Sequence, residues 1–123
     1  MINFSKIADF VMSYTMYRDR EKIEEYIRLH ACYKTLMLFY DSKDNIISFC
    51  RWNIESKDTA NVLDLVIRPQ YRNVGLLKIM LEKGIKMYPN TKYITFDRML
   101  KYPQRKSRKY SVDRLLHKQL QEA

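Results

Sequence analysis

The stretch from Asn61 to Asp97 changes its hydrophobic period twice, and this restricts the folds open to the chain more than any other feature. An apolar, strand-like run from Asn61 to Ile67 is ended by Pro69. After a turn containing Gly75 the pattern turns helical, with Leu77, Met80, Leu81 and Gly84 on one face. This helix, from Val74 to about Tyr88, stops at Pro89-Asn90, and a second strand runs from Tyr93 to Asp97. A strand, a crossover helix and a strand make a βαβ unit, whose two strands should lie parallel in one sheet.

What precedes this unit supplies the rest of a mixed sheet. Residues 4 to 15 place Ile7, Phe10, Val11 and Tyr14 on one helical face. Asp19 then suits the N-cap of a second helix to about residue 31, with Ile23, Tyr26, Ile27 and His30 along one side. Strands follow at Thr35 to Tyr40 and Ile46 to Ile54, joined by the turn-rich Asp41 to Asn45, and the polar stretch Glu55 to Thr59 leads to the strand at Asn61. The expected class is α/β or α+β: a three-stranded antiparallel meander extended by one parallel strand, with helices on both sides.

Composition agrees with one folded unit. The chain has 123 residues, 46% hydrophobic and 13% aromatic, with two glycines and three prolines, so little of it can be linker. Cys32 and Cys50 stand apart from each other and from any metal-ligand spacing and are expected to be buried free thiols; His30 and His117 are likewise isolated, so no metal site is expected. The N-terminal residues lack a signal-peptide pattern and no apolar run approaches membrane-spanning length, which leads us to expect a soluble cytoplasmic protein with no membrane partner. The net charge of +9 is unevenly placed: residues 1 to 66 carry 9 Lys and Arg against 10 Asp and Glu, residues 67 to 123 carry 14 against 4. The basic half calls for an anionic partner, and both nucleic acid and the phosphates of a coenzyme qualify.

The turn between strand and helix narrows the choice. A helix N-terminus offers unpaired N–H groups and a partial positive charge to a phosphate, and Arg68 and Arg72 lie beside it. The sequence Arg72-Asn73-Val74-Gly75-Leu76-Leu77, following Arg68-Pro69-Gln70-Tyr71, resembles motif A of the GNAT acetyltransferases, Arg/Gln-x-x-Gly-x-Gly/Ala after a strand. Asn73 stands where that family commonly has glycine, and Leu77 where it has the Gly or Ala that lets the cofactor approach. The order of elements is similar over residues 5 to 97. The resemblance implies one GNAT-like domain over 1–123, truncated at the closing C-terminal hairpin, with the family's first strand missing or reduced to Ile2 to Phe4. A last helix would start at Ser111.

The resemblance also implies chemistry: transfer of an acetyl group from acetyl-CoA to an amine of unknown identity. Acetyl-CoA would be held at Ile67, Arg72, Asn73, Val74, Gly75 and Leu76. Asp64, expected to share a strand face with Val62 and Val66, would serve as general base, and Tyr110, in competition with Tyr102, would protonate the leaving thiolate. Residues 98 to 123 form a basic segment in which Arg98, Lys101, Arg105, Lys106, Arg108 and Lys109 are candidate anion contacts. They support an alternative class, a catalytically inactive GNAT-like module that binds nucleic acid or an acidic protein. A third reading is a structural subunit whose truncated sheet pairs with another copy as a homo-oligomer.

Overall fold

The computed structural model describes residues 3–72, 75–96 and 109–116. Helices α1 (Phe4–Tyr14) and α2 (Arg20–Cys32) come first. Each opens on a side-chain cap: Asn3 accepts from the Lys6 N–H at 3.0 Å and Asp19 from the Lys22 N–H at 3.2 Å. These bonds satisfy first-turn donors that the helix itself cannot pair. Asn3 and Phe4 are thus spent on a helix start, and neither contributes to a first strand.

Strands β1 (Leu36–Tyr40), β2 (Ile46–Ile54), β3 (Thr59–Ile67), β4 (Tyr93–Phe96) and β5 (Lys109–Ser111) form one sheet in that order. The first three pair antiparallel, β3 and β4 are parallel, and β5 returns antiparallel along β4. Helix α3 (Leu76–Met87) makes the crossover from β3 to β4, as the double change of period requires. Strand β3 starts earlier than the apolar pattern suggests, because the Lys92 and Tyr93 N–H groups bond the Asp58 carbonyl at 2.7 and 2.9 Å and draw Thr59 and Ala60 into the ladder. Strand β5 is an addition that the pattern does not signal; it covers the outer edge of β4. Helical backbone follows over 112–116, and the Arg114 N–H reaches the Ser111 hydroxyl at 3.4 Å.

The sheet is covered on both faces. Helices α1 and α2 pack Ile7, Phe10, Val11, Ile23 and Ile27 against Ile46, Phe49 and Val66. Helix α3 packs Leu76 and Met80 against Met37, Ile47, Cys50, Trp52 and Ala60. Two bulges set which residues face which side. Phe39 pairs with Ser48 and Tyr40 with Ile46, leaving Ile47 extra; Arg51 pairs with Asp64 and Trp52 with Val62, leaving Leu63 extra. Cys50 is buried as expected, but Cys32, at the last turn of α2, is exposed. The helical period carries it onto the solvent side.

Between α3 and the sheet lies an apolar cavity of about 70 Å³, bordered by Gly84, Met37 and Trp52 among others. A Cβ built on Gly84 meets only the Met37 methyl, at an ordinary 3.8 Å. Gly84→Ala should therefore raise stability by roughly 0.5–1 kcal/mol, since alanine gains helix propensity and loses no space. Thermal unfolding of the variant measures this directly.

Candidate active site

Strand β3 builds the site because one inserted residue reverses its alternation. Upstream of Leu63, Val62 packs towards α3; downstream, Asp64 and Val66 face α1 and α2 while Leu65 packs towards α3. The expectation that Asp64 shares a face with Val62 is therefore wrong: the bulge separates them, because side chains alternate with a period of two and an extra residue shifts the phase. The described parallel pairing of β3 with β4 runs from Thr59 to Val62, and the bulged residue comes next.

Asp64 is 7% exposed and holds a polar cluster together. Its Oδ1 accepts from the Tyr17 hydroxyl at 3.0 Å, and its Oδ2 from Arg51 Nε in a buried ion pair. The Arg51 guanidinium lies 4.0 Å from the centroid of the Tyr26 ring, and its Nη1 is 3.4 Å from His30 Nε2. Arginine can only donate, so His30 Nε2 is the acceptor and Nδ1 carries the proton. That proton is directed to Thr35 Oγ1 at 2.8 Å, whose own hydroxyl donates to the His30 carbonyl at 3.4 Å. The roles along this chain are mutually consistent for a neutral imidazole.

The connection from α1 to α2 brings Tyr17 into this cluster. Arg18 Nη1 donates to the carbonyls of Met12, Thr15 and Tyr17 at 3.3, 2.9 and 2.7 Å, tying off the C-terminal end of α1. Thr15 Oγ1 donates to the Val11 carbonyl at 2.7 Å and accepts from the Tyr17 N–H at 3.3 Å. A cleft of about 290 Å³ opens between this connection and β3, lined by Thr15, Met16, Tyr17 and Leu63 to Val66. Tyr17 and Tyr26 escaped the sequence reading as site residues; ten tyrosines gave no reason to single out either.

Burial sets the acid–base behaviour of the cluster. It is the main reason that the Tyr26 phenol is pushed up to about 12, with the Asp64 charge adding to it. The Tyr17 phenol is raised for the same two reasons in the same order. His30 is lowered, first by burial and then by the Arg51 charge. A histidine that resists protonation in the folded state binds protons less readily than in the unfolded chain, so acid favours unfolding. This contribution is fully present above the ordinary histidine value of about 6.5 and is lost as pH falls through the lower folded value. The melting temperature should fall with pH in that window, and His30→Gln should flatten the fall.

At the other end of β3, a single 3-10 turn (Pro69–Tyr71) leads to α3. Gly75 is the N-cap, with φ +74° and no side-chain cap, and among the described residues nothing lies within 4 Å of a Cβ built on it. Among the described residues no side chain caps the first N–H groups of α3, and the left-handed backbone explains glycine there. Leu77 is turned inward, packing with Val62 and Phe96 in the cluster around Leu81 and Ile94, and does not cover Gly75. Arg72 Nε donates to the Ile67 carbonyl at 3.1 Å, which holds its guanidinium beside the turn. Arg68 is committed elsewhere: Nε and Nη2 both bond the Ile46 carbonyl, at 3.1 and 2.8 Å. Asn73 and Val74 lie outside the described residues.

The structure does not bring Tyr110 to Asp64. Tyr110 pairs with Ile94 on β5 and its ring meets Phe96 at 5.7 Å, on the α3 face, at the level of Ala60. Arg98, Lys101, Arg105, Lys106 and Arg108, together with Tyr102 and His117, lie outside the described residues. Lys109 opens β5 and places its Nζ 4.4 Å from the Tyr93 ring centroid. Among the described residues no cluster of His, Cys, Asp or Glu could hold a metal ion, and no helix is long and apolar enough to cross a membrane.

No family model matches the chain, and no curated protein matches it in sequence. Solved structures do match in fold. Ard1 from Thermoplasma volcanium superposes with a TM-score of 0.60 at 14% identity, over 84% of this chain and 72% of its own. A Desulfovibrio desulfuricans protein assigned to the GNAT acetyltransferases gives 0.54 at 8% identity, over 81% and 69%. Spermidine N-acetyltransferase from Vibrio cholerae, in complex with CoA and spermine, gives 0.51 at 17% identity, over 76% and 63%. The mixed sheet with α1 and α2 on one face and α3 on the other is therefore the GNAT fold.

Proposed function

We propose that the protein is an N-acyltransferase that uses acetyl-CoA as acyl donor and a primary amine as acceptor. One observation carries the reading: β3 presents Asp64 to a cleft just after its bulge and, at its far end, delivers Gly75 to the uncapped start of α3. The open backbone at Gly75, the neighbouring Arg72 and the inward-turned Leu77 fit the coenzyme's phosphates. Acetyl-CoA would supply an activated thioester; Ile67, Arg72, Asn73, Val74, Gly75 and Leu76 are the residues assigned to hold it. Asp64 is assigned to acid–base work on the amine. The cleft's apolar side chains, Met16, Leu63 and Val66, favour an amine borne on an uncharged group.

Thermal unfolding with and without acetyl-CoA tests the reading. Binding should raise the melting temperature by ligand linkage. Gly75→Trp should abolish the rise, and no shift at millimolar acetyl-CoA would sink the proposal. The excess of 14 Lys and Arg over 4 Asp and Glu in residues 67 to 123 favours a second reading, binding of nucleic acid by the basic half. That reading requires an affinity for DNA or RNA that falls steeply with salt and is lost when Arg105, Lys106, Arg108 and Lys109 are neutralised.

A further inference from the structure

We infer that Tyr17 takes the proton from the acceptor amine and passes its own to Asp64. The inference rests on the acyltransferase reading and adds a residue to its machinery. Asp64 is 7% exposed, and each carboxylate oxygen already accepts a bond, Oδ2 from Arg51 and Oδ1 from Tyr17. Tyr17 is half-buried, lines the cleft beside Asp64, and is held there by the bonds of Thr15 and Arg18 to the same connection. An amine entering the cleft meets the phenol oxygen, which has spent its proton on Asp64 and keeps lone pairs to accept another.

The step balances without a further reactant. The amine nitrogen forms a bond to the acyl carbon and gives one proton to the Tyr17 oxygen, while the Tyr17 proton moves to Asp64 Oδ1. The carbon–sulfur bond breaks with its electron pair going to sulfur, and the thiolate takes a proton from solvent. Asp64 returns its proton through Tyr17 to solvent before the next turnover. Burial and the adjacent carboxylate raise the Tyr17 phenol, so it works as a relay that gives and receives in one motion and does not stand as a tyrosinate. Arg51, fixed by His30 and Tyr26, holds the far side of the carboxylate in place.

Two measurements test the relay. In the first, Tyr17→Phe is compared with the wild type using acetyl-CoA and two amines of similar size, ethylamine and the far less basic 2,2,2-trifluoroethylamine. Loss of the relay should lower kcat at least about 100-fold with ethylamine, the scale of general base catalysis, and much less with the fluorinated amine, which sheds its proton readily. An equal loss with both amines would make Tyr17 a positioning residue only, and no loss would remove it from the mechanism; either overturns the inference. The second needs no turnover: ethylamine added without acyl donor should shift the 13Cζ resonance of Tyr17, and an unmoved resonance counts against contact. If the wild type transfers acetyl to neither amine and acetyl-CoA leaves its melting temperature unchanged, the acyltransferase reading itself fails. Unchanged wild-type transfer in Tyr17→Phe leaves that reading standing and removes only the relay.

Discussion

Arg51→Met is expected to cost about 3–5 kcal/mol of folding stability, because it strands a carboxylate in the protein interior. Asp64 is 7% exposed, and its Oδ2 depends on Arg51 Nε. The methionine can still lie against the Tyr26 ring but offers no donor, so among the described residues the Tyr17 hydroxyl alone is left to donate to the charge. Removing both ends should reverse most of the loss: Arg51→Met with Asp64→Leu leaves no buried charge, and well-packed apolar replacements of ion pairs are commonly neutral or stabilising. Urea unfolding of the two single variants and the double variant measures the coupling. If Arg51→Met costs less than about 1 kcal/mol, the pair behaves like an exposed one and Asp64 is not shut away from water in solution.

Asp64→Asn should lower kcat by roughly 10²–10⁴-fold if Asp64 is the terminal proton acceptor. The amide oxygen can still accept from the Tyr17 hydroxyl, but its amino group then meets Arg51 Nε, donor against donor, so the variant loses stability as well as the group that takes the proton, and turnover is compared well below its melting temperature. The cofactor end of β3 is untouched, and acetyl-CoA should still raise the melting temperature of the variant. Steady-state kinetics alongside thermal shifts separate the two effects. Turnover within a few-fold of wild type would show that Asp64 is structural and that the base lies elsewhere.

The parts of the fold that follow from local pattern were legible in the sequence. The helical faces of Ile7, Phe10 and Val11 and of Ile23 and Ile27, the Asp19 cap and the parallel return to Tyr93 are all fixed by period and capping chemistry. Strand β5 was not, because three residues carry no usable period; its pairing depends on β4 offering an edge. The site was legible only in part. Gly75 announced the turn, since a left-handed cap needs glycine, but the inward packing of Leu77 is decided by Val62 and Phe96, which are distant in sequence. Asp64 could be placed on its strand but not on its face, because a bulge at Leu63 leaves no mark in composition. Tyr17 joins Asp64 across 47 residues of chain, a pairing that no local pattern encodes.

Leu63 also makes strand β3 tolerant of one particular deletion. Deleting this one residue would remove the bulge and leave simple alternation along the strand, with Val62 and Leu65 still towards α3 and Asp64 and Val66 still towards α1 and α2. Tyr17, Arg51 and His30 would keep their carboxylate; the strand would lose the local bend and added twist that a bulge gives it beside the cleft. The extra residue thus shapes the mouth of the cleft without choosing the inward faces: a chain that drops it keeps its core and its polar cluster and changes only the local path of β3.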